Sequence, residues 1–116
     1  MDYSQMTDEQ LAERTATKVM GWHKQEKGVP IYEAHEYPDG YIFCSDWQPC
    51  TDLNQAVMVA DKWKKVAEER NIAIVYTWSG YHVQLRVGNK IVGESKVNDN
   101  LARALVIAVL MAEEGR

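Results

Sequence analysis

Between Tyr81 and Val87 the chain alternates apolar and polar residues with a period of two. In YHVQLRV, Tyr81, Val83, Leu85 and Val87 fall on one side of an extended chain, and His82, Gln84 and Arg86 on the other. The flanking stretches IAIVYTW and KIVGESKV have strand composition, and two-residue connections at Ser79-Gly80 and Gly88-Asn89 predict a three-stranded meander. These loops imply a register in which Trp78 opposes Tyr81, Tyr76 opposes Val83, Ile74 opposes Leu85 and Val87 opposes Lys90. One face then carries Ile72, Ile74, Tyr76, Val83, Leu85, Val87 and Val92. The other sets Thr77 beside His82, Val75 beside Gln84 and Ala73 beside Arg86, with Ile91, Gly93 and Ser95 from the third strand. Gly93 opposite Gln84 would leave a dent in that face. An ordinary solvent-facing sheet surface is the leading account of its polarity residue by residue, with a ligand as the alternative.

Helical periodicity flanks the meander. Thr7 and Gln10 have the spacing of a capping box, with Met6 and Leu11 as a hydrophobic staple, so a helix is expected from about Asp8 to Met20. Its apolar positions are Leu11, Thr15, Val19 and Trp22, and Gly21 is placed to end it in a left-handed conformation. Residues 23–40 turn polar and contain Gly28, Pro30, Pro38 and the turn signal PDG, which predicts an irregular arm or a short edge hairpin. YIFCSDW, residues 41–47, reads as a strand. Thr51 then caps a second helix expected to reach Arg70, with Leu53, Ala56, Val57, Ala60, Trp63 and Ala67 as its buried stripe. After Asn98 or Asn100 as a cap, LARALVIAVLMAEE is apolar nearly all round, which predicts a helix sandwiched between layers or buried in a subunit interface. The expected fold class is α+β: an antiparallel meander sheet of three to five strands packed with three helices as an α/β sandwich, in one domain over 1–116.

Composition narrows the function classes. The 116 residues suit one ordinary domain, and 13 basic against 17 acidic residues, net −4, argue against a protein that coats a duplex. Lys62, Lys64 and Lys65 accordingly read as a solvated helix face rather than a nucleic-acid contact. Cys44 and Cys50 are too few for a disulfide framework and lack the second ligand pair of a zinc site, so reduced thiols are expected. No charged-then-apolar leader opens the chain, and the longest apolar run, Ala104 to Ala112, is about half of a membrane span. These features predict a cytoplasmic protein with no membrane partner.

The chemistry points away from catalysis. GxSxG, GxxxxGK[ST], HExxH and dinucleotide fingerprints are all absent, and His23, His35 and His82 have no carboxylate at a spacing a triad or metal would need. His35, Glu33 and Glu36 read as solvated surface rather than a metal site, and Cys50 as a small buried residue rather than an activated thiol. A non-enzyme without cofactor or metal is expected. Arg103 is the clearest functional candidate. A cation in the first turn of a helix opposes the helix dipole unless an anion sits there, or unless a salt bridge to Asp99 or to a glutamate elsewhere holds it. Trp22, Trp78 and Tyr81 could supply π-faces, and Arg86 and Arg103 two guanidinium forks.

Three stretches, KVMGW (18–22), WQPCTDLNQAVMVADKW (47–63) and ARALVIAVLMA (102–112), resemble the pattern of the small phage and prophage proteins described as the phage ABA-sandwich domain. The matches run from the first helix to the last. The arm from His23 to Tyr37, and Cys50 where that pattern has a small hydroxyl residue, depart from it. A similar phage scaffold occurs in the Thoeris anti-defence sponges. The resemblance implies a phage protein of the host cytoplasm, homo-oligomeric and non-catalytic, that sequesters a cyclic ADP-ribose-type or cyclic oligonucleotide immune signal. It transfers Met20 and Arg103 as ligand-binding positions, and the chain's own pattern adds Trp22, Trp78, Tyr81, Arg86 and Asn98. The rival expectation is a structural or host-takeover module that docks another protein through the apolar C-terminal helix.

Overall fold

In the computed structural model, which describes residues 2–25 and 27–114, two three-stranded antiparallel sheets and three helices make an α+β fold. A 3-10 turn at Tyr3–Gln5 leads to α1, Asp8–Lys18. Both arms of the expected capping box form: Thr7 Oγ1 accepts from the Gln10 N–H at 3.1 Å, and Gln10 Oε1 accepts from the Thr7 N–H at 2.9 Å. Gly21, at φ +70°, turns the chain out of the helix.

The expected arm is a sheet of its own. Strands β1 (His23–Gln25), β2 (Ile31–Glu33) and β3 (Tyr41–Phe43) pair in that order. They are short, and aromatic packing anchors them: Trp22 meets Trp47 edge-on at 4.6 Å between centroids and tilts against Tyr32 and Tyr37. The strand expected over 41–47 therefore stops at Phe43, and Cys44–Asp46 form a 3-10 turn that brings Trp47 under α1, where its Nε1 donates to Ala12 O at 2.9 Å.

Helix α2, Leu53–Lys64, is shorter than expected and is capped by Asp52 rather than Thr51. The Asp52 carboxylate accepts from the N–H groups of Asn54 and Gln55. Arg70 does not belong to this helix. It opens β4, and its guanidinium reaches back to the carbonyl of Trp63 at 3.0 Å, lies 4.9 Å from that indole's centroid, and pairs with Glu113 at 3.6 Å. A last-turn carbonyl of α2 is thereby satisfied from outside the helix. The buried stripe of α2 is Ala56, Val59, Ala60 and Trp63, while Leu53 and Val57, expected inside, are exposed.

Strands β4 (Arg70–Thr77), β5 (Gly80–Val87) and β6 (Lys90–Asn98) form the meander in the order β4-β5-β6. Its first hairpin is two residues out of the expected register. Trp78 and Ser79 make the turn, so Tyr76 faces Tyr81, Ile74 faces Val83 and Ile72 faces Leu85, whereas Val87 faces Lys90 as expected. Gly80 joins the strand at φ +130°, where an added Cβ would sit 2.5 Å from Asn98 O. A two-residue slip preserves the faces. The irregularity between Leu85 and Arg86 does not: Gly93 faces Leu85 and Glu94 faces Gln84, so Gly93 and the buried Ser95 lie on the apolar side.

Helix α3, Leu101–Glu114, fills the middle of the molecule. It packs on β5 and β6 with one side and on α1 and α2 with the other, which buries residues from Ala102 through Leu110 other than Arg103, and Ala112. Its all-round apolarity thus serves this chain's own layers, and the helix is no free docking surface. Gly93 permits the close approach, since a Cβ there would fall 2.2 Å from Ala108 O. Among the described residues no helix is long and apolar enough to cross a membrane.

Candidate functional site

The residues singled out in the sequence occupy separate places. Met20 and Trp22 are buried at the end of α1, and the Trp22 indole donates to Glu36 Oε1 at 2.9 Å, so its faces serve the aromatic cluster. Trp78 stands fully exposed at the β4–β5 turn. Tyr81, half-buried, packs on Tyr76 with centroids 4.9 Å apart. Asn98 is its strand partner, and Asn98 Oδ1 accepts from the Asn100 N–H at 2.8 Å. The cap of α3 is Asn100, whose Oδ1 accepts from Arg103 N at 3.3 Å while its Nδ2 donates to Cys50 O at 2.8 Å. Arg86 lies on the outer face of β5 and donates to Gln84 Oε1 at 2.7 Å. Of the seven, only Tyr81 and Asn98 are direct strand partners.

Arg103 is neutralised within the chain. Its guanidinium forms an ion pair with Asp8 and donates to the carbonyls of Met6 at 2.6 Å and Ser4 at 3.3 Å. The charge that looks misplaced on its own helix is held by the segment entering α1, which it ties to the start of α3. The outer face of the second sheet is likewise satisfied side chain to side chain: His82 Nε2 lies 2.5 Å from Glu94 Oε1, a contact that lowers the Glu94 pKa.

A cavity of about 600 Å³ opens between α1, the first sheet and the segment 44–51, with Tyr32 and Trp47 among its walls. Its size suits a small ligand, but its charge does not suit a phosphate. Asp8, Glu9 and Glu13 line it against Lys24, which pairs with Glu13 at 3.6 Å, and Arg103 is not part of the lining. Burial raises the Cys50 thiol to about 12 and the Tyr32 hydroxyl to about 12, so neither presents an anion or a ready nucleophile near neutrality. Among the described residues, no three His, Cys, Asp or Glu side chains are grouped to hold a metal ion.

The apolar surface left uncovered lies elsewhere, on β4. Because α3 covers β5 and β6, the edge strand overhangs the helical layer. Tyr76 is 73% exposed, Ile74 48%, Val75 49% on the opposite face, and Trp78 wholly exposed. Leu53 and Val57 of α2 continue the patch, and a groove of about 260 Å³ runs between Val57, Ala60 and Asp61 of α2 and Ile72 and Ile74 of β4, with Leu105 in its lining. From Asn71 to Trp78 the strand has no charge and no proline, the devices that ordinarily blunt an edge.

The sequence did carry a signal for this surface. IAIVYTW is apolar at both parities, which calls for a cover on each face, and in this fold the edge strand has only a partial cover on one, from α2 beside Ile72. No family model, no curated protein sequence and no solved structure matches the chain.

Proposed function

We propose that the chain is a non-catalytic protein-interaction module whose working surface is β4 together with the exposed side of α2. The observation that carries this reading is an edge strand without charge or proline from Asn71 to Thr77 and with large apolar side chains open on both faces. The docking element is therefore not the C-terminal helix, whose apolar residues are used up inside the fold. Side chains that could do chemistry are tied into structural contacts: Arg103 to Asp8, Arg70 to Trp63 and Glu113, His82 to Glu94.

A photo-crosslinking residue placed at Tyr76 and, separately, at Arg86 tests this surface in cells. Discrete adducts from position 76 and none from position 86 are expected. No adduct from position 76, or the same adducts from both, would overturn the proposal.

A second reading keeps the phage anti-defence role, in which the protein captures a cyclic ADP-ribose-type or cyclic oligonucleotide signal in the host cytoplasm. The cavity of ligand size with two aromatic walls favours it, and the carboxylates around that cavity weigh against it. Calorimetry against cyclic ADP-ribose isomers and cyclic di- and trinucleotides decides: heat with unaltered ligand supports capture, and no heat with any of them removes it.

A further inference from the structure

We infer that the partner of β4 is a second copy of this chain, paired antiparallel to it about a twofold axis through Ile74; this rests on β4 being the working surface.

The hydrogen-bond pattern of the strand carries the inference. Gly88 N donates to Glu69 O at 3.0 Å, one step beyond the Arg70–Val87 pair, so Glu69 and Gly88 are a hydrogen-bonded pair. In an antiparallel ladder such pairs alternate, so Asn71, Ala73, Val75 and Thr77 direct their N–H and C=O groups at β5. Ile72, Ile74 and Tyr76 direct theirs at the open edge. No loop or cap bond among the described residues takes them up.

That set of three is self-complementary. With Ile74 opposite the partner's Ile74, Ile72 meets the partner's Tyr76 and Tyr76 meets the partner's Ile72, so each open donor faces an open acceptor. The three side chains share the face that overhangs the helices. The pairing extends that face into a six-stranded sheet and brings the partner's Tyr76 beside the groove lined by Ile72, Ile74 and Val57. Trp78 falls opposite the partner's Arg70, whose charge is already held by Glu113 and Trp63, and Asp61 at the groove is paired with Lys65 at 2.8 Å. Along the paired strands no two like charges face each other.

The exposed area is of the right order. Ile74, Tyr76 and Trp78 with Leu53 and Val57, and Val75 on the opposite face, expose on the order of 800 Å² of total surface per copy, comparable to what each partner of a standard-sized interface buries. The symmetric arrangement is isologous, so the edge closes on itself rather than growing into a filament.

Sedimentation of the full chain from low-micromolar to sub-millimolar concentration tests the inference. The expected mass is twice the 13.3 kDa of the chain. Tyr76→Lys, and separately Ile74→Lys, should halve it while leaving far-UV circular dichroism unchanged; Arg86→Glu on the outer face should leave the dimer intact. If Ile74→Lys perturbs folding, the more exposed Tyr76 and Trp78→Ser carry the test. A monomer at every concentration, or a dimer indifferent to lysine at the edge, overturns the inference. A monomer that still gives discrete adducts of another mass from position 76 removes only the second copy; a monomer with no adducts removes the interaction surface as well.

Discussion

Gly93→Ala probes the contact on which the layer order depends. In this fold Gly93 faces α3, and a Cβ there would lie 2.2 Å from Ala108 O and 3.0 Å from both the Ala112 nitrogen and its Cβ. A comfortable carbon-to-oxygen approach is about 3.3 Å, so strand and helix must part by about 1 Å along a seam packed with buried side chains. A gap of that size forfeits about a quarter to a half of the dispersion energy of the atoms it separates. Overpacking a core in this way costs about 1–3 kcal/mol, and the rigid backbone partner puts this site at the upper end. Relief of glycine's unfolded-state entropy returns about 0.4–1 kcal/mol. The net loss is then about 2 kcal/mol, or about 8 °C in Tm at roughly 4 °C per kcal/mol for a domain near this size. Urea unfolding followed by circular dichroism measures it, with Gly88→Ala as control. Gly88 has open space around its would-be Cβ and loses only the cost of φ +61°, about 1 kcal/mol. Were Gly93 on the outer face, where strict alternation of the sequence puts it, alanine would be neutral or stabilising. That result, or a loss no larger than the control's, refutes the packing described here.

Three further outcomes follow from particular contacts. Arg103→Met should cost about 1–3 kcal/mol because two carbonyls and Asp8 lose a charged donor, whereas Asp8→Asn, at a half-exposed carboxylate, should cost under about 1 kcal/mol; equal losses in urea titrations would contradict that division. Arg70→Met should cost about 2–3 kcal/mol, since one guanidinium serves the end of α2, the Trp63 ring and Glu113, and a change within error in the same titration would remove its assigned role. Stability should also depend on pH at both ends. Arg14, at 2.6 Å, holds the Glu114 carboxyl below its ordinary 4.5, so that contribution is present above about pH 4.5 and is lost as pH falls through the lower folded value; Glu114→Gln should flatten this limb of an acid titration. Burial raises Cys50 from 9.0 and Tyr3 and Tyr32 from 10.0, each to about 12, so their contribution to stability is full below pH 9 and erodes toward pH 12. Cys50→Ala should delay the start of that erosion, and an unchanged alkaline profile would contradict the assignment.

Local physics was legible in the sequence and long-range physics was not. The capping box of Thr7 and Gln10, the left-handed Gly21 and the three-strand meander depend on neighbours a few residues apart. The first hairpin slipped by two because Ser79-Gly80 is a good turn dipeptide, but Gly80 is needed in the strand, where Asn98 approaches too closely for any side chain. The break between Leu85 and Arg86 changes no composition, yet it moves Gly93 and Ser95 to the core face and sets Glu94 beside His82. For Arg103 the sequence offers an anion, the neighbouring Asp99 or a distant glutamate, and no local pattern singles out the real partner, Asp8, which lies 95 positions earlier in the chain. Periodicity places Leu53 and Val57 in the buried stripe of the second helix and Ile74 and Tyr76 on the apolar face of the meander; it reports that a face is apolar but not whether the rest of the fold covers it.

Amide hydrogen exchange along β4 as a function of protein concentration tests the central claim most directly. Ala73 and Val75, bonded to β5, should be protected at every dilution. Ile72, Ile74 and Tyr76 should exchange freely in dilute solution and become protected together as concentration rises. Exchange at these three that is fast at all concentrations, or slow even at the greatest dilution, would contradict an open edge that a second copy closes.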